Sequence, residues 1–555
     1  MQDQHLHLPG VVRSDLAEFV WRRAPEAIRT IAVDHVDELF EVTMGSPLSV
    51  RFVLGLLLDF GWDELLAVLS NWAENTRAGV PVQGLCVLAV ENYALQNPTA
   101  AALLGRMSHA VGGVTYTAMR QLFWEGLGND SAFETTLATL GERGLLELDP
   151  FNQRAFIHPI VRRYLTENAP MLGEEWDRRH AVFFLGAVQQ YQHLPLERWS
   201  EVDMDWGNIY VGADWCARRA ERIWERSAME MIADPTLDQT AVAAETESPE
   251  NYADLCLARD YALALADYAF WRHPPGIVRW LAVGAVAAFA TQDMRNYGWF
   301  LMNIGRQMFF LGRLPEAIQW VDRARPIFDE RDLLAELAYV HTDLGTTYRV
   351  LDEPRRALEH FLVAFDCTAQ LGDTRGLATA YMNLGSAQFS LGQHDRALAE
   401  QRKALRVALR LNDRHLIASA YNNMGLSLEA MERFDDATHV YEHALRTFEQ
   451  NDDQIGVSAC FNNLGSVSYA QGKFGKALTW YERDRALLQT RGAWTDMAAT
   501  LHNLGHVAME QHELQQALSF FTQSRDLYAA FDLNDYVAEE VEMIHYVQEQ
   551  KPVRG

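Results

Sequence analysis

The chain has 555 residues, 49% hydrophobic and 22% charged, an ordinary globular composition that excludes general disorder and leaves apolar material for several cores. With 75 acidic against 48 basic residues its formal charge is −27, a field that repels phosphate backbones and anionic head groups, so nucleic acid is disfavoured and a basic or amphipathic peptide is the better matched partner. Five dispersed cysteines (Cys86, Cys216, Cys256, Cys367, Cys460), none in a CxxC pair, exclude a disulfide framework and a structural zinc site and read as reduced core residues. Met1-Gln2-Asp3-Gln4-His5 lacks the basic-then-apolar layout of a signal peptide. The longest uncharged apolar run, Trp280 to Ala290, is too short to cross a bilayer, so a cytoplasmic protein without a membrane span is expected.

In chain order, the first third shows helical apolar periodicity without a repeat. Within Val36 to Leu58, Gly45 is placed to end one helix and Pro47 to open the next. Leu127 to Leu148 reads as a helix that ends at Glu142-Arg143-Gly144 and passes into a strand. Asp149 to Gln153 makes a turn, and Ala155-Phe156-Ile157 returns as a second strand before His158. Helices followed by a small hairpin predict a winged helix. Its candidate recognition helix, Ser131 to Arg143, offers one basic residue against two acidic ones, which makes DNA binding through it a second-rank alternative.

These pieces, from about Leu8 to Tyr191, resemble the rear half of the STAND or NB-ARC class of signal-transducing ATPases. The family's Gly-x-Pro-Leu motif is matched by Gly45-Ser46-Pro47-Leu48, and the histidine opening the last winged-helix helix by His158. Trp206-Gly207-Asn208-Ile209 with Asp214-Trp215 matches the join to the sensor. The resemblance implies that the proline touches adenine and the histidine reaches the nucleotide's phosphate. Pro159 stands where the family often has Asp, and nothing in the sequence fits GxxxxGK[ST]: Gly472-Lys473 and Gly475-Lys476 are followed by Phe and Ala. Pro47 and His158 are therefore nucleotide contacts only if another domain or chain supplies the phosphate cradle, and ADP or ATP is a cofactor only on that condition. Otherwise Pro47 starts a helix and His158 caps or packs. A switch ATPase lacking its nucleotide-binding domain is a third reading.

Ala233 to Glu250 has no aromatic residue and many small or acidic ones, as in a flexible loop. Tyr252 to Asp293 is helical and apolar and reads as degenerate repeats capping an array. Then a triplet recurs every 40 residues: Asn303-Ile304-Gly305, Asp343-Leu344-Gly345, Asn383-Leu384-Gly385, Asn423-Met424-Gly425, Asn463-Leu464-Gly465 and Asn503-Leu504-Gly505. Twelve residues after each glycine stands an alanine, from Ala317 through Ala357, Ala397, Ala437 and Ala477 to Ala517. Small residues in this register let two antiparallel helices approach closely, so each repeat is a helix-turn-helix.

The pattern, from about Tyr297 to Asp535, resembles the tetratricopeptide repeat, whose further small residue seven positions on is matched by Ala324, Ala364, Ala404 and Ala444 but not by Asp484 or Ser524. The period of 40 is that of its kinesin-light-chain-like subgroup, in which the residue before the Leu-Gly pair holds peptides. The resemblance implies a right-handed superhelical solenoid whose groove candidates are Asn303, Asp343, Asn383, Asn423, Asn463 and Asn503, with Arg306 and His506 three residues further on. The alternative is that these amides bond to neighbouring helices and shape the solenoid. Arg306, Thr346, Ser386, Leu426, Ser466 and His506 do not make the chaperone-type carboxylate clamp.

The expected organisation is all-α: a helical domain over 1–110, a winged-helix domain with a small hairpin over 111–170, helical linker and degenerate repeats over 171–295, six repeats over 296–535 and a capping helix with tail over 536–555. With no HExxH, GxSxG or CxxC, no catalytic or metal-ligating residue is assigned. His5 and His7 read as a free end. The expected function is a non-enzymatic sensor or scaffold whose groove takes a protein or peptide and whose N-terminal module signals to a nucleotide-binding or effector partner.

Overall fold

The computed structural model describes residues 11–76, 82–168, 173–191, 200–234, 237, 242, 248–272, 274–531 and 533–550. The readings made on residues 1–10 and on most of 233–250 lie outside the described residues. The chain forms two compact units, Met1–Asp293 and Met294–Gly555.

The first unit begins with helices α1 (Arg13–Arg23), α2 (Arg29–Asp34), α3 (Val36–Thr43), α4 (Pro47–Leu56), α5 (Trp62–Thr76) and α6 (Val82–Gln96). Between α3 and α4 the backbone turns through left-handed Met44 and Gly45 (φ 50° and 70°). Val11 N donates to Gly45 O at 2.8 Å, an approach so close that a Cβ on Gly45 would lie 2.4 Å from Val11 O. Ser46 Oγ then accepts from Ser49 N at 3.3 Å and Pro47 occupies the first turn, so Gly-Ser-Pro ends one helix and restarts the next.

The winged helix follows: α7 (Pro98–Met107), β1 (Val114–Thr115), a helical turn α8 (Tyr116–Ala118) running on through Met119–Phe123, α9 (Asp130–Glu142), β2 (Leu146–Asp149), β3 (Arg154–Ile157) and α10 (Pro159–Asn168). The antiparallel sheet has the order β1-β3-β2, with Leu146 opposite Ile157 and Val114 opposite Ala155. Asn129 caps α9 by accepting from Ala132 N at 2.9 Å. Asp149 shapes the wing by accepting from Phe151 N and Asn152 N, both at 3.1 Å. Phe133, Leu137 and Leu140 of α9 and Leu146, Ala155 and Ile157 of the sheet are all buried, and α9 packs on β2.

Helices α11 (Gly173–Tyr191), α12 (Ser200–Trp224), α13 (Ala228–Ala233), α14 (Pro249–Arg272) and α15 (Ile277–Ala290) complete the unit. The Trp206-Gly207-Asn208 stretch of α12 is a latch onto the winged helix. Asn208, fully buried, accepts from Val111 N at 2.8 Å, and a Cβ on Gly207 would lie 2.3 Å from Val111 O. Beside it Asp205 pairs with Arg154 of β3 at 2.5 Å, both side chains under a tenth exposed, while Arg154 also donates to Gly113 O at 2.6 Å. Buried Asp254 of α14 joins the bundle by accepting from Arg178 and Arg219, each at 2.9 Å. The segment read as degenerate repeats, α14 and α15, packs on α11, α12 and α13 inside this unit. All five cysteines are free thiols, four of them buried, and among the described residues no single helix is long and apolar enough to cross a membrane.

The second unit is six helix pairs and a last helix. The first helices are Met294–Phe310, Leu334–Val350, Thr374–Ser390, Arg414–Ala430, Gln454–Ala470 and Trp494–Glu510; each is followed by its second helix, from Leu314–Asp329 to Leu514–Ala530, and Asn534–Glu549 closes the array. The repeated glycine faces the residue sixteen positions on. A Cβ on Gly345, Gly425, Gly465 or Gly505 would lie 2.3–2.6 Å from the ring of Phe361, Tyr441, Tyr481 or Phe521. The alanine ladder is buried throughout. Where the second small residue gives way to Asp484 and Ser524, the polar group is satisfied by the helices before and after it. Asp484 accepts from Ser458 at 2.5 Å and Thr500 at 2.8 Å, and Ser524 Oγ lies 2.8 Å from Glu540 Oε1. The turn inside each repeat passes through a left-handed residue: Gly312, Asp352, Gly392, Glu432, Gly472 and His512.

First helices of neighbouring repeats touch one another through the first five repeats, and second helices make no comparable contact. The array therefore curves with its first helices on the inner side.

Gly425→Ala is expected to destabilise the array by about 1–2 kcal/mol, because overpacking against the Tyr441 ring exceeds the gain in helix propensity. Gly385→Ala, whose Cβ would meet the buried Gln401 side chain at 3.0 Å and Ala397 O at 3.1 Å, wider than the ring contacts, is expected to lose less than Gly425→Ala, about 0.5–1 kcal/mol. Urea denaturation followed by circular dichroism measures both; equal losses would mean that the aromatic contact does not set the helix spacing.

Candidate functional site

The inner face is built from the first helices, and the residue before each Leu-Gly pair meets one of three fates. Asn303 is 5% exposed and donates to Trp299 O of its own helix at 2.8 Å. Asn463 donates to Asn422 Oδ1 of the preceding repeat at 2.9 Å. The first amide is spent within its own helix, and the second ties two repeats together. Asn383, Asn423 and Asn503 are half-buried, and among the described residues their amides have no protein partner. Asp343 is held by Arg306 at 2.7 Å, and that guanidinium also lies over the rings of Trp299 and Tyr339. Burial pushes the Asp343 carboxyl up and the Arg306 charge pulls it back. Arg306 and Asp343 thus satisfy each other.

His506 belongs to a chain of contacts at the other end. Its Nε2 lies 3.0 Å from His502 Nε2, and His502 Nδ1 lies 2.8 Å from Glu540 of the closing helix. The hydrogen bond to Glu540 raises the His502 pKa above its ordinary value, and burial lowers that of His506.

The inner face also holds a cavity of about 510 Å³, made by the first helices of the second, third and fourth repeats. Ala335, Ala338, Tyr339 and Thr342 come from the second repeat, Thr379, Met382 and Asn383 from the third, and His415, Leu416 and Ser419 from the fourth; Leu371, Asp373 and Arg375 form its rim. Of the candidates read from the sequence, only Asn383 lines it. One ladder of residues prefigures it: Trp299, Tyr339, Thr379, Ser419, Ala459 and Ala499, at 40-residue intervals, taper from aromatic to small. The cavity sits where the taper opens.

In the first unit, Pro47 opens α4 and His158 Nδ1 accepts from Ile160 N at 3.2 Å, capping α10. Arg51 of α4 reaches Leu146 O at 3.2 Å, and burial together with its charge lowers the His158 pKa. One ring nitrogen of His158 is thus committed to the cap. On α9, Glu134 is paired with Arg120, and Asp130 lies 3.7 Å from the same guanidinium. Among the described residues no group of three His, Cys, Asp or Glu side chains is placed to hold a metal.

Residues 376–450 and 416–490 match the family model described as tetratricopeptide repeat. No curated protein sequence matches the chain. Among solved structures it is similar to a STAND protein with a tetratricopeptide repeat sensor from Pyrococcus horikoshii, at 14% identity over 96% of this chain and 75% of that one, with a TM-score of 0.44. It is similar also to a Rap protein complexed with competence and sporulation factor (14% identity, 61% of this chain and 98% of that one, TM-score 0.39). A third is NprR in complex with its cognate peptide NprX (15% identity, 46% of this chain and 74% of that one, TM-score 0.37).

The His502–Glu540 contact generates a pH dependence. The folded state holds the His502 proton more tightly than the unfolded chain, so the stabilisation is complete below the unfolded value near 6.5 and is lost as pH rises through the raised folded value. Amide exchange of Asn534–Glu549 is expected to accelerate relative to the rest of the array from about pH 6 to pH 9, and Glu540→Gln is expected to abolish that pH-dependent difference. A difference retained in the variant would assign it to other groups.

Proposed function

We propose that the second unit is a non-catalytic receptor for an extended protein segment, laid along the inner face of its first helices. The observation that supports this reading is the 510 Å³ cavity lined by Asn383, an amide without a protein partner. An amide both donates and accepts, as the backbone of an extended peptide requires. Successive packed helices lie roughly 8–10 Å apart, and an extended chain advances about 3.3 Å per residue, so one amide per repeat meets about every third residue of the ligand. Asn383 and Asn423, on adjacent repeats, are the pair to bear this role.

The first unit, in this reading, passes the binding event to a partner protein. The resemblance of its motifs to signal-transducing ATPases suggests a nucleotide-binding domain supplied by another chain, through which ADP or ATP would enter. Such coupling requires that the ligand bind one arrangement of the protein better than another.

Panning displayed random short peptides on the full chain is expected to yield binders, and Asn383→Ala/Asn423→Ala to weaken them by about tenfold or more with helicity and melting temperature unchanged. Asn463→Ala, which removes the bond to Asn422, is expected to lower the melting temperature instead. Failure to select any peptide, or binders indifferent to the double substitution, would overturn the proposal.

A further inference from the structure

The inner edge of the array carries contacts between basic and acidic side chains that step from one repeat to the next. Arg295 of the first repeat meets Glu336 of the second at 2.5 Å, Arg375 of the third meets Asp413 of the fourth at 2.9 Å, and His415 of the fourth meets Asp453 of the fifth at 3.4 Å. In the last two steps the acid is the N-cap of the following first helix, accepting from Leu416 N and Gly456 N. The basic residue stands 38 residues earlier in both. Asp373 is the equivalent N-cap of the third repeat, accepting from Arg375 N at 3.1 Å and Gly376 N at 3.0 Å. Thirty-eight residues before it stands Ala335. Of these three N-cap steps, this one keeps its acid and lacks its cation.

We infer that the cavity lined by Ala335, Tyr339 and Asp373 receives one arginine or lysine side chain of the bound segment, with Asp373 as its counter-ion. The inference rests on the peptide-binding reading above and names its specificity. The missing side chain at 335 leaves space, since Ala335, Tyr339, Thr342 and Asp373 all line the same cavity. The charge at this point is unbalanced in one direction only. Arg375 is matched by Asp413 and the nearby Arg306 by Asp343, which leaves the Asp373 carboxylate without an ion-pair partner among the described residues. Tyr339, 51% exposed, supplies an aromatic surface to the same cavity. A guanidinium or ammonium group placed between a ring and a carboxylate is bound by both. The net charge of −27 draws basic segments toward the protein and repels acidic ones.

The full chain and the peptides selected on it supply the test. Those peptides are expected to share an arginine or lysine at one position, and replacing it with norleucine is expected to weaken binding roughly ten- to hundredfold. Asp373→Asn keeps a good N-cap and is expected to cause the same loss, with no further loss for the norleucine peptide. Ala335→Arg supplies the absent cation from within and is expected to displace the peptide's basic side chain, giving a similar loss at an unchanged or raised melting temperature. Selected peptides without a common basic residue would overturn the inference, as would Asp373→Asn weakening basic and norleucine peptides alike. Binders that depend on Asn383 and Asn423 but ignore Asp373→Asn and Ala335→Arg would leave the groove reading standing and remove this subsite. No selected peptide at all would remove both.

Discussion

The approach of a glycine to an aromatic ring sixteen residues later is the contact on which the second unit depends. At Gly345, Gly425, Gly465 and Gly505 there is no room for even one added carbon against Phe361, Tyr441, Tyr481 and Phe521, so each helix pair has a single spacing and rotation. The two repeats that lack the ring show what else fills the place. Val321 lies against Gly305. Gln401, 2% exposed beside Gly385, uses its amide oxygen to accept from Ser427 of the next repeat at 2.9 Å. A buried amide without that serine would lose about 1–3 kcal/mol, so the third repeat exchanges packing within itself for a bond to its neighbour.

Fixing the helix pairs leaves the inner face free to vary, and its chemistry is decided one repeat at a time by the residue that precedes the amide in the neighbouring repeat. Asn463 finds Asn422, an acceptor, and bonds to it. The corresponding neighbour of Asn423 is Met382, which accepts hydrogen bonds poorly. For Asn503 it is Asn462, whose amide lies near Asp484 and helps hold that carboxyl down against burial. The same motif therefore gives a structural amide in one repeat and an available one in the next.

This explains how far the sequence could be read. Period, helix pairing and the small-residue ladders follow from steric rules that act locally and identically in every repeat. The hairpin of the first unit was equally legible, because Gly144, Asp149 and Asn152 carry turn chemistry. The ring at sixteen residues past the glycine was present in the sequence and obscured by Val321 and Gln401 in the first and third repeats. The fates of Asn303 and Asn463, and the satisfaction of Arg306 by Asp343, required knowing which side chains meet across repeats. The buried Arg154–Asp205 pair lay further out of reach: it joins residues 51 apart with no period to announce them, as does the latch of Asn208 on Val111.

The vacancy at Ala335 is where these two kinds of information separate. An ion pair on an exposed edge adds only about 0.2–1 kcal/mol to a fold, so the array holds together without a cation there, and packing places no demand on the residue. A ligand that brings its own cation to the carboxylate in this concave site adds a charge-assisted hydrogen bond to its other contacts in the groove. A position that contributes little to stability and much to recognition is free to diverge from its ladder. Asp373 remains in register because it still caps the helix through Arg375 N and Gly376 N, and Ala335 departs from register because nothing in the fold holds it there.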